Sequence, residues 1–168
     1  IAQYAKDVKG LFLLAAPCVD LWNVLPRQFR YLKENTNQNI SEADILALDS
    51  VSKRIETGNF NSNTNKSELL HLSPAYWSYL KKYDVKKTLR EVEVPVYALF
   101  GSRDYQVNID DYNCFMELKD NSNITFKRYD GLNHLFIFGK EKSVPSEYQI
   151  PGNVSIEVIK DIAKWINQ

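Results

Sequence analysis

Asp104 and His134 are the two residues of this sequence whose types and positions could do chemistry together. Asp104 follows an unbroken apolar run, Val94-Pro95-Val96-Tyr97-Ala98-Leu99-Phe100, by way of Gly101-Ser102-Arg103. His134 follows a second strand-like run, Ile124 to Tyr129, by way of Asp130-Gly131-Leu132-Asn133. A carboxylate at the C-terminal tip of one strand and an imidazole beyond the next would form the back half of a hydrolytic triad. The carboxylate fixes the ring's tautomer and stabilises the imidazolium, while the ring moves the proton. Imidazole suits that task because its pKa lies near working pH. Asp130 is a rival acid on the histidine's own loop. It is disfavoured because the triad acid usually arrives from another loop. His71 has no comparable setting and reads as a packing or surface residue.

The front half of such a triad is a Ser or Cys on a sharp strand-to-helix turn, upstream of both other members. No serine here sits on such an elbow, and Cys114 falls within an expected helix. The glycines stand at 10, 58, 101, 131, 139 and 152. Their spacing excludes a G-x-S-x-G elbow, a G-x-G-x-x-G dinucleotide loop and a Walker A loop. His71 and His134 are the only histidines, so an H-E-x-x-H zinc site is excluded as well. The reading therefore predicts that the nucleophile precedes Ile1, and that this chain alone is inactive as a triad enzyme.

These residues need a scaffold, and the hydrophobic pattern describes one. Ile1 to Lys9 reads as the tail of a helix stopped at Gly10. Leu11 to Ala16 is a short apolar run of the kind buried on both faces of a parallel sheet, where a central strand has neighbours on each side. From Asp20 to about Arg90 the pattern is helical. Leu21 to Lys33 is one helix, with Pro26 near a bend or a start. Ser41 caps a second, with Ile45, Leu48 and Ile55 on one face and Gly58 at its end. Ser73-Pro74 opens a short third helix carrying Tyr76, Trp77 and Leu80. Alternation then returns: strand Pro95 to Phe100, helix Ile109 to Leu118, strand Ile124 to Tyr129, a loop from Gly131 to Asn153, and a last helix from Ser155 to Ile166. That helix is expected to bury Ile156, Ile159, Ile162 and Ile166. Strand–helix–strand order with short connections predicts an α/β fold with a parallel sheet. The expected organisation is an α/β core in residues 1–19 and 91–168, interrupted by a helical cap or lid in residues 20–90. Three strands make a thin sheet, so the fragment is expected to expose apolar sheet edge.

Composition narrows the classes further. Of the 168 residues, 44% are hydrophobic, enough for a core. Lys+Arg and Asp+Glu both number 21, a balance that argues against a nucleic-acid binder. No apolar run approaches the ~20 residues of a membrane span. Cys18 and Cys114 are far apart and read as two buried thiols. The sequence starts with Ile1 rather than Met, so the natural N-terminus is expected to lie upstream and the compartment is not indicated.

Several stretches, taken in order, resemble the C-terminal half of an α/β-hydrolase. The similarity is to bacterial serine hydrolases of the esterase/acyl-hydrolase and prolyl-oligopeptidase-like group. Val8-Lys9-Gly10-Leu11-Phe12-Leu13-Leu14-Ala15-Ala16-Pro17 resembles the strand after the nucleophile helix. Ser73-Pro74-Ala75-Tyr76-Trp77, with Tyr83-Asp84, resembles the end of the lid. Val94 to Val107 resembles the acid strand and loop, and Gly131-Leu132-Asn133-His134-Leu135-Phe136 the histidine loop. Glu147-Tyr148 and the closing helix to Trp165-Ile166 follow in family order. The resemblance implies Asp104 as triad acid, His134 as general base, and a small-molecule ester or acyl substrate. It implies no cofactor and no metal, with the missing N-terminal half or a homodimer partner completing the sheet. Tyr76, Trp77 and Trp22 are candidates to line a substrate pocket. Two other readings stand beside it: a hydrolase-like binding module without chemistry, and a hydrolase, such as a dehalogenase, whose upstream nucleophile is Asp.

Overall fold

The computed structural model describes residues 7–167. The chain divides into two compact units, Ile1–Cys18 with Val92–Gln168, and Val19–Glu91. The expected helix ending at Gly10 falls largely on residues outside those described.

The first unit is built on three parallel strands, β1 (Leu11–Leu14), β2 (Val96–Gly101) and β3 (Ile124–Tyr129), in spatial order β1-β2-β3. Strand β2 is central and every one of its residues is buried, which explains why it is apolar without alternation. Strand β1 forms an edge among the described residues, and Leu14 on it is half exposed. Two of the unit's helices cover opposite faces. On one face, the Phe115 ring of α5 (Ile109–Met116) lies 5.4 Å from Phe100 and 6.4 Å from Phe126. On the other, α6 (Ile156–Ile166) closes a cluster of Ala15, Tyr97, Leu99, Tyr129, Leu132, Phe136 and Val158. Asn108 caps α5 and Ser155 caps α6, each accepting a bond from a first-turn N–H.

Two expectations are corrected here. Helix α6 does not bury Ile156, Ile159 and Ile166, which are 63%, 49% and 64% exposed. The face turned inward is Val158, Ile162 and Trp165. A helix this rich in isoleucine carries overlapping apolar stripes, and the aromatic partner decides between them. The Trp165 ring stacks on Tyr97 at 5.9 Å and meets Phe12 edge-on at 4.7 Å. Gly10 belongs to the same contact, because a Cβ there would fall 2.5 Å from the Trp165 ring. The cysteines are not free thiols either. Cys18 and Cys114 form a disulfide with a Cα–Cα distance of 5.9 Å across a sequence separation of 96. The parallel crossover sets the segment after β1 beside α5, a juxtaposition that linear spacing conceals. Cys18 also donates its backbone N–H to Asp111 Oδ1 at 2.9 Å.

The second unit contains four α-helices, α1 (Leu21–Asn35), α2 (Glu42–Thr57), α3 (Pro74–Leu80) and α4 (Val85–Arg90), and a 3-10 turn at Lys66–Glu68. Pro26 lies within α1 and is buried. Ser41 and Asp44 form a reciprocal capping box, and α2 ends at Gly58 in the left-handed conformation with φ 73°. The short helix α4 has no counterpart in the sequence reading; Asp84 caps it by accepting from Lys87 N, and Leu89 is its buried residue. Trp22, Ile55, Leu69 and Trp77 form the unit's buried cluster.

Candidate active site

The acid and the histidine sit on the loops that leave the C-terminal ends of β2 and β3. These strands pair in parallel register, with Gly101 opposite Tyr129, so both loops emerge at the same end of the sheet. His134 Nδ1 and Asp104 Oδ2 are 2.8 Å apart. The Asp104 side chain is fully buried and that of His134 is 30% exposed. The other Asp104 oxygen accepts from the backbone N–H groups of Gln106 at 2.8 Å and Val107 at 3.0 Å. One oxygen is thus committed to holding the acid loop and the other faces the ring. Asp130, the rival acid, instead accepts the Ser102 hydroxyl at 3.0 Å.

The carboxylate beside His134 favours the charged ring and raises its pKa above the ordinary 6.5, against the opposing effect of burial. The sign follows from linkage. Because the folded value is raised, the pairing stabilises the fold fully below the unfolded value. That contribution is lost as pH rises through the folded one. The titration midpoint of the His134 ring is therefore expected above 6.5, moving down in Asp104→Asn. A midpoint at or below the ordinary value, read by imidazole NMR on the unsubstituted chain, would contradict the pairing.

The histidine loop is shaped by Asn133, a residue singled out only as part of a motif. Its side-chain Oδ1 accepts from Leu135 N and Ile137 N, both at 3.0 Å. Phe136 takes φ 57°, uncommon for a bulky residue, and donates its N–H to Asn133 O at 2.9 Å. Gly101 lets the two loops approach. A Cβ there would lie 2.3 Å from Leu132 O and 2.7 Å from Asn133 O. Both obstacles are backbone of the histidine loop, so Gly101→Ala is expected to cost about 1–3 kcal/mol, as overpacking does. A denaturant titration reads this directly; an unshifted midpoint would mean the loops stand further apart.

Arg103 and Glu147, quoted in the sequence only as parts of the resembling stretches, were given no role there. The Arg103 guanidinium pairs with Glu147 at 2.7 Å and also donates to the carbonyls of Glu141 and Gly131. Gly139 makes room for it, since a Cβ there would collide with the guanidinium. The only signal in the sequence was that each lies within a stretch that resembles the family.

Trp22, Trp77 and Tyr76 lie in the helical unit. Trp22 and Trp77 are 7% and 0% exposed, and their rings meet at 6.4 Å. The Trp77 indole donates to Leu69 O at 2.7 Å. Tyr76, 43% exposed, offers an open ring. Among the described residues there is no His/Cys/Asp/Glu group able to hold a metal ion, and no helix is long and apolar enough to cross a membrane.

The fold and site thus define a mixed α/β chain with a small parallel sheet and a carboxylate–imidazole pair at its C-terminal edge. No family profile matches the chain. Its sequence is 30% identical over 168 residues to esterase EstD of Thermotoga maritima. That alignment covers 99% of this chain and 39% of the relative, so the chain spans about two fifths of the protein it matches. Among solved structures it is similar to an esterase of Pyrococcus furiosus at 12% identity, with a TM-score of 0.39, over 79% of this chain and 39% of that one.

Proposed function

We propose that this chain supplies the acid and the general base of a serine esterase of the α/β-hydrolase type. The observation that carries the proposal is the 2.8 Å contact between buried Asp104 and His134, on the loops that follow adjacent parallel strands. The similarity to EstD over nearly the whole chain supports it. In this reading the nucleophilic serine and the oxyanion-hole amides come from sequence outside the chain, and the 168 residues alone do not turn over ester. His134 Nε2 takes the serine proton as Oγ attacks the ester carbonyl, and Asp104 stabilises the resulting imidazolium. The tetrahedral intermediate collapses as His134 protonates the leaving alcohol, giving an acyl-enzyme. His134 then takes a proton from water, which attacks the acyl carbonyl, and returns it to the serine as the acid departs. The helical residues 20–90 would act as a lid. Tyr76, Trp77 and Trp22 are its candidate substrate-lining residues. The test is ester turnover by the longer polypeptide with Asp104→Asn or His134→Ala introduced. Loss of turnover in a folded protein supports the reading, and near-normal turnover in either variant overturns it.

A further inference from the structure

Glu147 touches neither Asp104 nor His134, yet it binds the residue immediately before each of them. Its Oε2 accepts from Arg103 Nη2 at 2.7 Å, and its Oε1 accepts from Asn133 Nδ2 at 2.7 Å. Ser143 donates its hydroxyl to the same Oε1. The carboxylate is carried on the 3-10 turn Pro145–Gln149, a third segment distinct from both loops. The next residue adds a parallel link, since Gln106 donates its amide to Tyr148 Oη at 3.2 Å. The site around Glu147 is enclosed, with Arg103 and Glu147 side chains only 12% and 21% exposed and Asn133 buried. Hydrogen bonds from Ser143, Asn133 and Arg103 hold the Glu147 pKa below the ordinary carboxylate value despite burial. The carboxylate is therefore charged and fully engaged across the neutral range.

We propose that Glu147 is a positioning residue that fixes the separation of Asp104 and His134 by clasping Arg103 and Asn133 at once. The inference rests on the triad reading of that pair. Asp104 and His134 lie on separate loops, so their contact depends on how the loops are held relative to each other. Backbone contacts through Gly101 set the approach, and Glu147 ties both loops to a third segment with charged hydrogen bonds, the strong kind. Arg103 is the cation paired with Glu147, and the Tyr148 hydroxyl lies in the field of both Asp104 and Glu147.

Imidazole NMR on the chain tests this, because its only histidines are His71 and His134 and one His71 variant assigns the ring signals. The readouts are the exchange of the His134 Nδ1 proton and the ring's titration midpoint. Glu147→Gln removes a negative charge and the pairing with Arg103. Asn133→Asp adds a negative charge while keeping the acceptor that holds the turn. A positioning role predicts that both variants accelerate Nδ1 proton exchange by about tenfold or more, as expected when a charged hydrogen bond is loosened. If Glu147 acts only through its field, the two midpoints move in opposite directions while the proton stays protected, and the proposal is overturned. Lower thermal stability with unchanged ring signals also overturns it. Should one variant fail to fold, the other decides. Asp104→Asn separates the two levels: if it too leaves the proton unchanged, the triad pairing itself fails; if it alone has an effect, only the role of Glu147 fails.

Discussion

Asp104→Asn is expected to lower ester turnover by about 10⁴-fold in the longer polypeptide, the scale seen when a triad carboxylate is neutralised without loss of geometry. The substitution is nearly isosteric. A side-chain oxygen can still accept from Gln106 N and Val107 N, so the acid loop should keep its turn. What changes is the atom facing the ring. Asp104 Oδ2 accepts from His134 Nδ1, which leaves Nε2 free to take a proton. An amide nitrogen in that place donates instead, and favours the tautomer whose Nε2 already carries hydrogen. The charge that stabilises the imidazolium is lost at the same time. His134→Ala removes the proton carrier and should be at least as damaging. Turnover and circular dichroism must be read together. A collapse in rate with an intact spectrum is the expected result, and a loss below tenfold would remove Asp104 from the role.

Reducing the Cys18–Cys114 disulfide is expected to cost about 2–5 kcal/mol of stability. The bridge closes a long loop, with a sequence separation of 96, and the enclosed stretch includes the entire helical unit. Closing so long a loop restricts the unfolded chain strongly; in the chain-entropy model a loop of ~100 residues is worth about 4.7 kcal/mol. Typical domains are stable by only about 5–15 kcal/mol, so the loss would be a large share of the total. Urea titrations with and without reductant, and of a Cys18→Ser/Cys114→Ser double variant, should show the same displacement of the midpoint. The variant keeps the backbone bond from Cys18 N to Asp111, so the difference isolates the covalent link. Coincident curves would mean that the two sulfurs are not bonded in solution.

The sequence by itself determined most of the strands and longer helices and singled out the two residues of the pair. The strand Pro95 to Phe100 was legible because a parallel strand buried on both faces is apolar at consecutive positions, and it ended in a glycine-containing loop. The capped starts at Ser41 and Ser73 were legible because an N-cap acts on its own first turn. Tertiary structure alone decided everything that joins distant residues. It brought Asp104 to within 2.8 Å of the His134 ring while Ser102 engages Asp130, because the parallel register sets the two loops at the same end of the sheet. It turned Val158, Ile162 and Trp165 inward, because the aromatic contact with Tyr97 and Phe12 selects among the stripes of α6. It paired Cys18 with Cys114 and gathered Arg103, Asn133 and Ser143 around Glu147. Local signals arise from backbone geometry a few residues long, whereas these contacts depend on how strands are ordered and loops closed, which neighbouring residues do not encode.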